Sequence, residues 1–243
     1  MTHVVPCLEA KTLRFRYGQK NILNAISLTV HSGEIVGLLG PNGAGKTTAF
    51  RLLCGQYRTT AGHVFINGED VSKKTLWQRV RTGLAYLPQE PTVLSALTVE
   101  DNLRLGLPQN TRAERADALN NALTHFGLNQ LRTARGNQLS GGELRRVELA
   151  RAFATRPQVM LVDEPFAALD PMASEEVSKF LREFSRKGTG VLLSDHDVGQ
   201  SLSLCDRIYI LSEGQIIFVG SPEQVAQNVR VRDIYLGERL FKT

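Results

Sequence analysis

Three cysteines in 243 residues are too few and too scattered for a disulfide framework or a paired metal-ligand motif. Cys7, Cys54 and Cys205 are therefore expected to be reduced packing residues. Long apolar runs are missing too: a stretch such as 35–39 falls far short of the roughly 20 residues a membrane-spanning helix needs. The first sixteen residues hold no apolar core of signal-peptide length with a small-residue cleavage site behind it, which predicts a chain that stays in the cytoplasm. There is no run of five or more basic residues and no interleaving of basic and aromatic residues of the RNA-binding kind, so no nucleic-acid partner is expected. No internal repeat or low-complexity tract occurs.

What remains is the composition of a soluble globular protein, 42% hydrophobic and 22% charged. At about 150 residues per domain the length allows one or two domains. Lys and Arg outnumber Asp and Glu by 29 to 24, an excess that suits nucleotides or anionic lipid surfaces and equally suits a solvated mixed surface.

Strand-like alternation opens the chain. Leu8, Ala10, Leu13 and Phe15 are interleaved with Glu9, Lys11 and Arg14, and Ile26, Leu28 and Val30 repeat the pattern, predicting an antiparallel β portion. The apolar run 35–39 leads into a Gly-rich loop and a helical segment through Leu53. Short strands are predicted at 63–67, closed by Gly68, and at 83–87, ended by Pro88. From Thr98 to Ala154 the spacing turns helical, with Val99 and Leu103, then Ala118, Ala122 and Leu123, then Leu144, Val147 and Ala150. A strand at 159–162, a helix at 171–187 with Pro at its start and a strand at 190–194 follow, and 208–211 with 216–219 has a hairpin signature. Apolar strands alternating with helices predict an α/β fold with a parallel sheet covered on both faces.

Residues 40–48, GPNGAGKTT, satisfy the phosphate-loop pattern G-x-x-x-x-G-K-[ST] between an apolar strand and a helix. The loop comprises Gly40, Pro41, Asn42, Gly43, Ala44, Gly45, Lys46, Thr47 and Thr48. Its glycines let backbone N–H groups close around phosphates, Lys46 supplies a cation for the β and γ phosphates, and Thr47 can ligate magnesium. The helix N-terminus adds a favourable field. VMLVDE, 159–164, puts two carboxylates at a strand's carboxyl end, where ligands bind in doubly wound sheets. Successive strand side chains point to opposite faces, so Asp163 is assigned to magnesium and Glu164 to the attacking water as general base. LSGGE, 139–143, contains the capping-box pattern S-x-x-E. Ser140 and Glu143 can therefore simply satisfy their own helix, while Gly141 and Gly142 equally let a phosphate approach the helix N-terminus.

Phosphate loop, LSGGE, VMLVDE, then FAALD at 166–170 and SDH at 194–196, in this order and spacing, resemble the nucleotide-binding subunits of ATP-binding cassette (ABC) transporters over essentially the whole chain. The resemblance implies an ATPase core with a parallel sheet, formed by 1–97 and 155–243, and a helical subdomain at 98–154. It implies ATP and Mg²⁺ as ligands, with Tyr17 stacking on adenine, Gln89 reaching the magnesium and the water, and His196 contacting the γ phosphate. Asp170 would line the seam of a homodimer, in which Ser140, Gly141, Gly142 and Glu143 of one subunit meet the nucleotide held by the other.

Within the family, YLPQEP (86–91), TVEDNL (98–103), LSGGELRRVELARA (139–152), DEPFAALDP (163–171) and the tail VRDIYLGERL (231–240) look like the branch that powers lipopolysaccharide export. Two departures are Leu144, where that branch leads us to expect Arg, and 93–96, which lacks an expected aromatic and arginines. The implied function is ATP hydrolysis coupled to export of a lipid-linked glycan that the partners handle. Those partners would be two membrane-spanning permease subunits, docking on the segment from Glu90 to Leu97, with this chain peripheral on the cytoplasmic face of the inner membrane. A branched-chain amino-acid importer ATPase and a soluble iron–sulfur assembly ATPase are the alternatives. The tail, with Val231, Ile234, Tyr235 and Leu236 at roughly helical spacing, is expected to support the dimer or to pack on its own domain.

Overall fold

The first two strands show how the alternating pattern is realised and where it slips. A computed structural model describes residues 5–107, 111–195 and 198–236. In it β1 (Leu8–Tyr17) and β2 (Lys20–Val30) pair antiparallel, as predicted. The buried set of β1 steps from Ala10 to Leu13 and that of β2 from Leu23 to Ile26, each a step of three residues where alternation takes two. Thr12 (φ 48°) and Ala25 (φ 61°) occupy those steps in the left-handed region, at register breaks in the ladder. Each extra residue restores the apolar set to the core face.

The chain continues through β3 (Ile35–Leu39), α1 (Lys46–Cys54), β4 (Ala61–Ile66), β5 (Glu69–Asp70), α2 (Leu76–Arg81) and β6 (Leu84–Leu87). The helical stretch holds α3 (Val99–Gly106), α4 (Arg112–His125) and α5 (Gly141–Ala154). Then come β7 (Val159–Asp163), α6 (Pro171–Arg186), β8 (Gly190–Ser194), α7 (Val198–Leu204), β9 (Arg207–Ser212), β10 (Gln215–Gly220) and α8 (Pro222–Gln227). The strand expected at 63–67 ends one residue early, because Asn67 (φ 50°) and Gly68 (φ 80°) form the turn into β5. Glu213 and Gly214 (φ 47° and 73°) make the tight β9–β10 connection, the double positive φ that suits a twisted hairpin.

Two sheets result: an antiparallel one in the order β2-β1-β4-β5, and a larger one in the order β10-β9-β3-β8-β7-β6, parallel except for the β9–β10 hairpin. The larger sheet divides the interior. Ile35, Met160, Val162, Val191 and Leu193 pack with α3, α5 and α6 on one face. Val36, Leu38, Leu161 and Leu192 pack with α1 and the antiparallel sheet on the other. Strands β3, β7 and β8 are buried throughout, so each large aliphatic side chain they bury contributes about 1.5–3 kcal/mol and the strands serve as rigid mounts. Their register puts the carboxyl ends of β3, β8 and β7 side by side.

The three cysteines are free and buried, and burial pushes the thiols of Cys7 and Cys54 up to about 11, as befits packing residues.

Candidate functional site

The phosphate loop leaves β3 at Gly40, where φ is 154° and an added Cβ would lie 1.9 Å from the carbonyl oxygen of Leu211. Only glycine fits that approach. At Gly45 (φ 109°) a Cβ would meet Leu23 Cδ2 at 2.8 Å, whereas at Gly43 (φ 78°) the space is open and the backbone conformation alone demands glycine. The Gly214 N–H donates to the Ala44 carbonyl at 3.1 Å, so the β9–β10 turn holds the loop from behind. Pro41 and the exposed Asn42 form its outer part, and Thr47 and Thr48 lie in the first turn of α1.

Gly45 caps α1 without a side-chain hydrogen bond, and no acid stands in the first turn. The leading N–H groups thus have no side-chain cap, which favours an anion there. The other end of α1 is closed by Arg79, 1% exposed, whose guanidinium donates to the carbonyls of Leu52 and Leu53 at 2.7 Å. Burial pulls Arg79 down to about 10. Lys46 is 8% exposed and its Nζ donates to the carbonyls of Gly40 (2.7 Å) and Pro41 (3.1 Å). Burial draws its pKa down, against the pull of Glu164, Asp163 and Asp195. The lysine is thus already in the loop, ringed by acids.

Asp163 ends β7, almost fully buried, and accepts a hydrogen bond from the Ser194 hydroxyl at the end of β8. Burial raises its pKa, only partly offset by Ser194 and Lys46, so a cation would be stabilising beside it. Glu164 has left the strand: its φ is 47°, and its N–H donates to the Ser194 carbonyl at 2.9 Å. The division between the two acids is therefore made by a left-handed turn after the strand, a correction to the alternation expected from sequence. Such a conformation at a bulky residue costs roughly 1–3 kcal/mol and persists where the surroundings enforce it. Gln89, just beyond β6, donates from Nε2 to Glu164 Oε2 at 2.9 Å.

The donors gathered here fit magnesium by chemistry. Asp163 offers a carboxylate, Thr47 a hydroxyl and Gln89 an amide oxygen. Among the described residues no group of three His, Cys, Asp or Glu forms a protein-only cage. Magnesium characteristically takes one or two carboxylates with substrate phosphates and water.

Ser140 caps α5 and completes the capping box: Glu143 N donates to Ser140 Oγ at 3.3 Å, and Ser140 N donates to Glu143 Oε2 at 2.8 Å. Gly142 has a packing reason of its own, since a Cβ there would sit 3.0 Å from that of Ala173. Among the described residues no hydrogen bond joins this turn to the phosphate loop of the same chain. Asp170 caps α6, accepting from Ala173 N at 2.9 Å. Tyr17, at the end of β1, is 73% exposed, an aromatic ring that nothing in its own domain buries. His196 lies outside the described residues.

Two sets of residues receive no role of their own from the sequence, although the first lies in the SDH motif. Ser194 ends β8 and bonds Asp163, and Asp195 follows the strand and adds negative charge near Lys46; the signal was their place at the end of an apolar strand parallel to β7. Behind Gln89, Thr92 donates through its hydroxyl to Glu148 Oε1 (3.0 Å), while Arg145 donates to Glu148 Oε2 (2.9 Å) and Arg151 to the Thr92 carbonyl (3.1 Å). The loop after Gln89 is thus tied to the helix that Ser140 starts. A Glu among the buried positions of α5, directly after Val147, was the only sequence signal.

A phosphate loop, acids at the adjacent strand end, a glutamine reaching them and a separate serine-capped helix define an ATP-binding cassette. A family model described as ABC transporter matches residues 23–167, and the chain belongs to that family as an ATPase cassette. It is 43% identical over 238 residues to the lipopolysaccharide export system ATP-binding protein LptB of Haemophilus influenzae, covering 96% of this chain and 98% of that one. LptB of Escherichia coli K12 is 44% identical over 234 residues, with 95% and 97% covered. Among solved structures, a nucleotide-free ATP-binding cassette from an ABC transporter superposes with a TM-score of 0.85 at 26% identity, covering 96% of this chain and all of that one. No helix among the described residues is long and apolar enough to cross a membrane.

Proposed function

We propose that this chain is the ATP-hydrolysing subunit that powers extraction of lipopolysaccharide from the inner membrane and its export toward the outer membrane. The carrying observation is likeness to the export ATP-binding proteins at 43–44% identity over nearly the full length of both chains. In this reading Gly40 to Thr48 cradle the phosphates, Lys46 leaves its carbonyls for the β and γ phosphates, and Tyr17 stacks on adenine. Magnesium, when bound by Thr47, Asp163 and Gln89, supplies charge neutralisation at the phosphates. Glu164 polarises the attacking water and takes its proton, and Gln89, bonded to Glu164, orients both. His196 contacts the γ phosphate.

One chain carries one phosphate loop and one signature turn, so a complete site needs the Ser140 end of a second copy: the working unit is a homodimer. Two permease subunits dock beside the segment from Glu90 to Leu97. Supporting this, a groove of about 420 Å³ lined by Val80, Leu87, Leu105 and Arg151 lies behind that segment. Trp77, Val80, Leu94 and Leu105 are 58%, 44%, 49% and 60% exposed. Apolar helices of partners commonly seat in such grooves. Through the dimer and the permeases the chain sits as a peripheral subunit on the cytoplasmic face of the inner membrane.

The test is genetic and biochemical together. The chain, expressed with its own membrane subunits, should sustain a cell depleted of its lipopolysaccharide-export ATPase, and Leu94→Asp should lose co-purification with those subunits while keeping basal hydrolysis. Failure to sustain that cell, with restored branched-chain amino-acid uptake instead, would replace export by import.

A further inference from the structure

We propose that a pocket between α3 and α4, remote from the phosphate loop in sequence and built from different elements, binds a phosphate-bearing anion. The pocket encloses about 590 Å³ and is lined by four arginines, Arg104, Arg112, Arg115 and Arg132, over an apolar floor that includes Leu107 and Leu119. Leu107 and Leu119 are 8% and 4% exposed, so the guanidinium groups stand against a low-dielectric wall.

The charges are not balanced within the pocket. Glu100 is shared by Arg104 and Arg132, Asp101 lies 3.7 Å from Arg104, and Arg132 also bonds Asn120 at 3.3 Å. Arg112 and Arg115 have no ion-pair partner among the described residues. Their position makes the imbalance more telling. Arg112 is the first residue of α4 and Arg115 stands one turn on, where the helix already presents partial positive charge. The acid of that turn, Glu114, is turned back onto Thr111 in the capping box and does not neutralise them. Two cations at the wrong end of a helix, facing two more, weaken the isolated fold, and a bound anion reverses the sign of that contribution. Arginine in particular presents paired N–H donors that match phosphate oxygens bidentately. Leu105 and Gly106, between Arg104 and Leu107 on α3, line the apolar groove behind Gln89 on the other side of the helix. The pocket and the proposed permease groove thus lie on two sides of α3.

A phosphate of a lipid headgroup and a free phosphate share this chemistry, and the experiment separates them. The full-length chain, with its nucleotide site saturated by ADP, is titrated with inorganic pyrophosphate by calorimetry and sedimented with vesicles of phosphatidylglycerol in phosphatidylcholine or of phosphatidylcholine alone. At least one anionic probe should bind, with affinity falling about tenfold or more in R112A/R115A, in line with the value of basic side chains near anionic surfaces. R112K/R115K, which keeps charge and loses the paired donors, should weaken binding as well. Pyrophosphate binding assigns the pocket to phosphate itself, and binding to anionic vesicles alone assigns it to a headgroup. Basal hydrolysis should be unchanged in both variants, as the arginines lie outside the catalytic set, and without added anion the thermal midpoint of R112A/R115A should not fall. Absence of binding by either probe, indifference to R112A/R115A, or full retention in R112K/R115K would overturn the proposal, the last by reducing the pocket to diffuse surface charge.

Discussion

Helices α1 and α5 both begin at glycine-containing turns, and their first turns are finished in opposite ways. Gly45 offers α1 no side-chain cap and no acid follows, while Ser140 and Glu143 close the start of α5 from both sides. Each unfinished N–H at α1 is a site for an anion. At α5 the N–H groups of Ser140 and Glu143 are answered within the chain, and the Glu143 carboxylate adds negative charge where a phosphate would arrive. The difference teaches that glycines before a helix do not by themselves make a phosphate site. What matters is whether the helix caps itself. It also accords with a division in which α1 binds nucleotide within its own subunit and α5 completes the site only across a dimer, where its serine is brought to a phosphate already held.

The largest test of that division concerns the acid beside α1. Glu164→Gln should lower turnover by about 10² to 10⁴ while leaving ATP affinity near normal, because the loop and Lys46 are untouched. Steady-state rates beside equilibrium nucleotide binding check it; near-normal turnover would show that another group is the base. Lys46→Ala should instead cost ATP affinity as well as about 10²–10³ in rate, as loss of a phosphate-stabilising donor does. Ser140→Arg should stop hydrolysis with ATP binding retained. Mixing those two inactive chains should restore partial activity, since a heterodimer keeps one site with both halves intact. Heterodimers that form and stay inactive would break the comparison.

Smaller effects sharpen it. Ser140→Ala removes a real cap and should cost about 1 kcal/mol of stability, read in a denaturant titration, over and above its effect on hydrolysis. The smallest effect is expected at α3, a helix start with no nucleotide role, capped by Thr98 and carrying Glu100 in its first turn. A hydrogen bond from Arg132 holds the Glu100 carboxyl below the usual range. A depressed folded-state pKa stabilises above the unfolded value and is lost as pH falls through the folded one. Glu100→Gln should therefore lower stability by no more than about 1 kcal/mol near neutrality and flatten its decline below about pH 4.3.

The C-terminal segment divides in two. Val231 is fully buried in the helical-face core, so that part of the tail packs on its own domain, whereas Ile234 is 41% exposed. The part of the expected dimer role that rests on residues beyond Leu236 lies outside the described residues. A chain ending at Arg232 would preserve Val231 and so separate packing from assembly.

Local pattern in the sequence determined the predicted strands and helices, the phosphate loop and the capped turn at Ser140, since each is set by neighbours within a few residues: apolar spacing, glycine where φ is positive, serine three residues before glutamate. Only the tertiary structure decided how ends distant in sequence meet. Pairing of β7 with β8 put Ser194 on Asp163, and the turn after β7 aimed Glu164 at Gln89, 75 residues away. Burial of Arg79 under the last turn of α1, and of Glu148 behind Thr92, could not be read from charge pattern, because a charged residue is buried only where partners from other elements meet its hydrogen-bonding needs. Those partners exist only once the chain has folded.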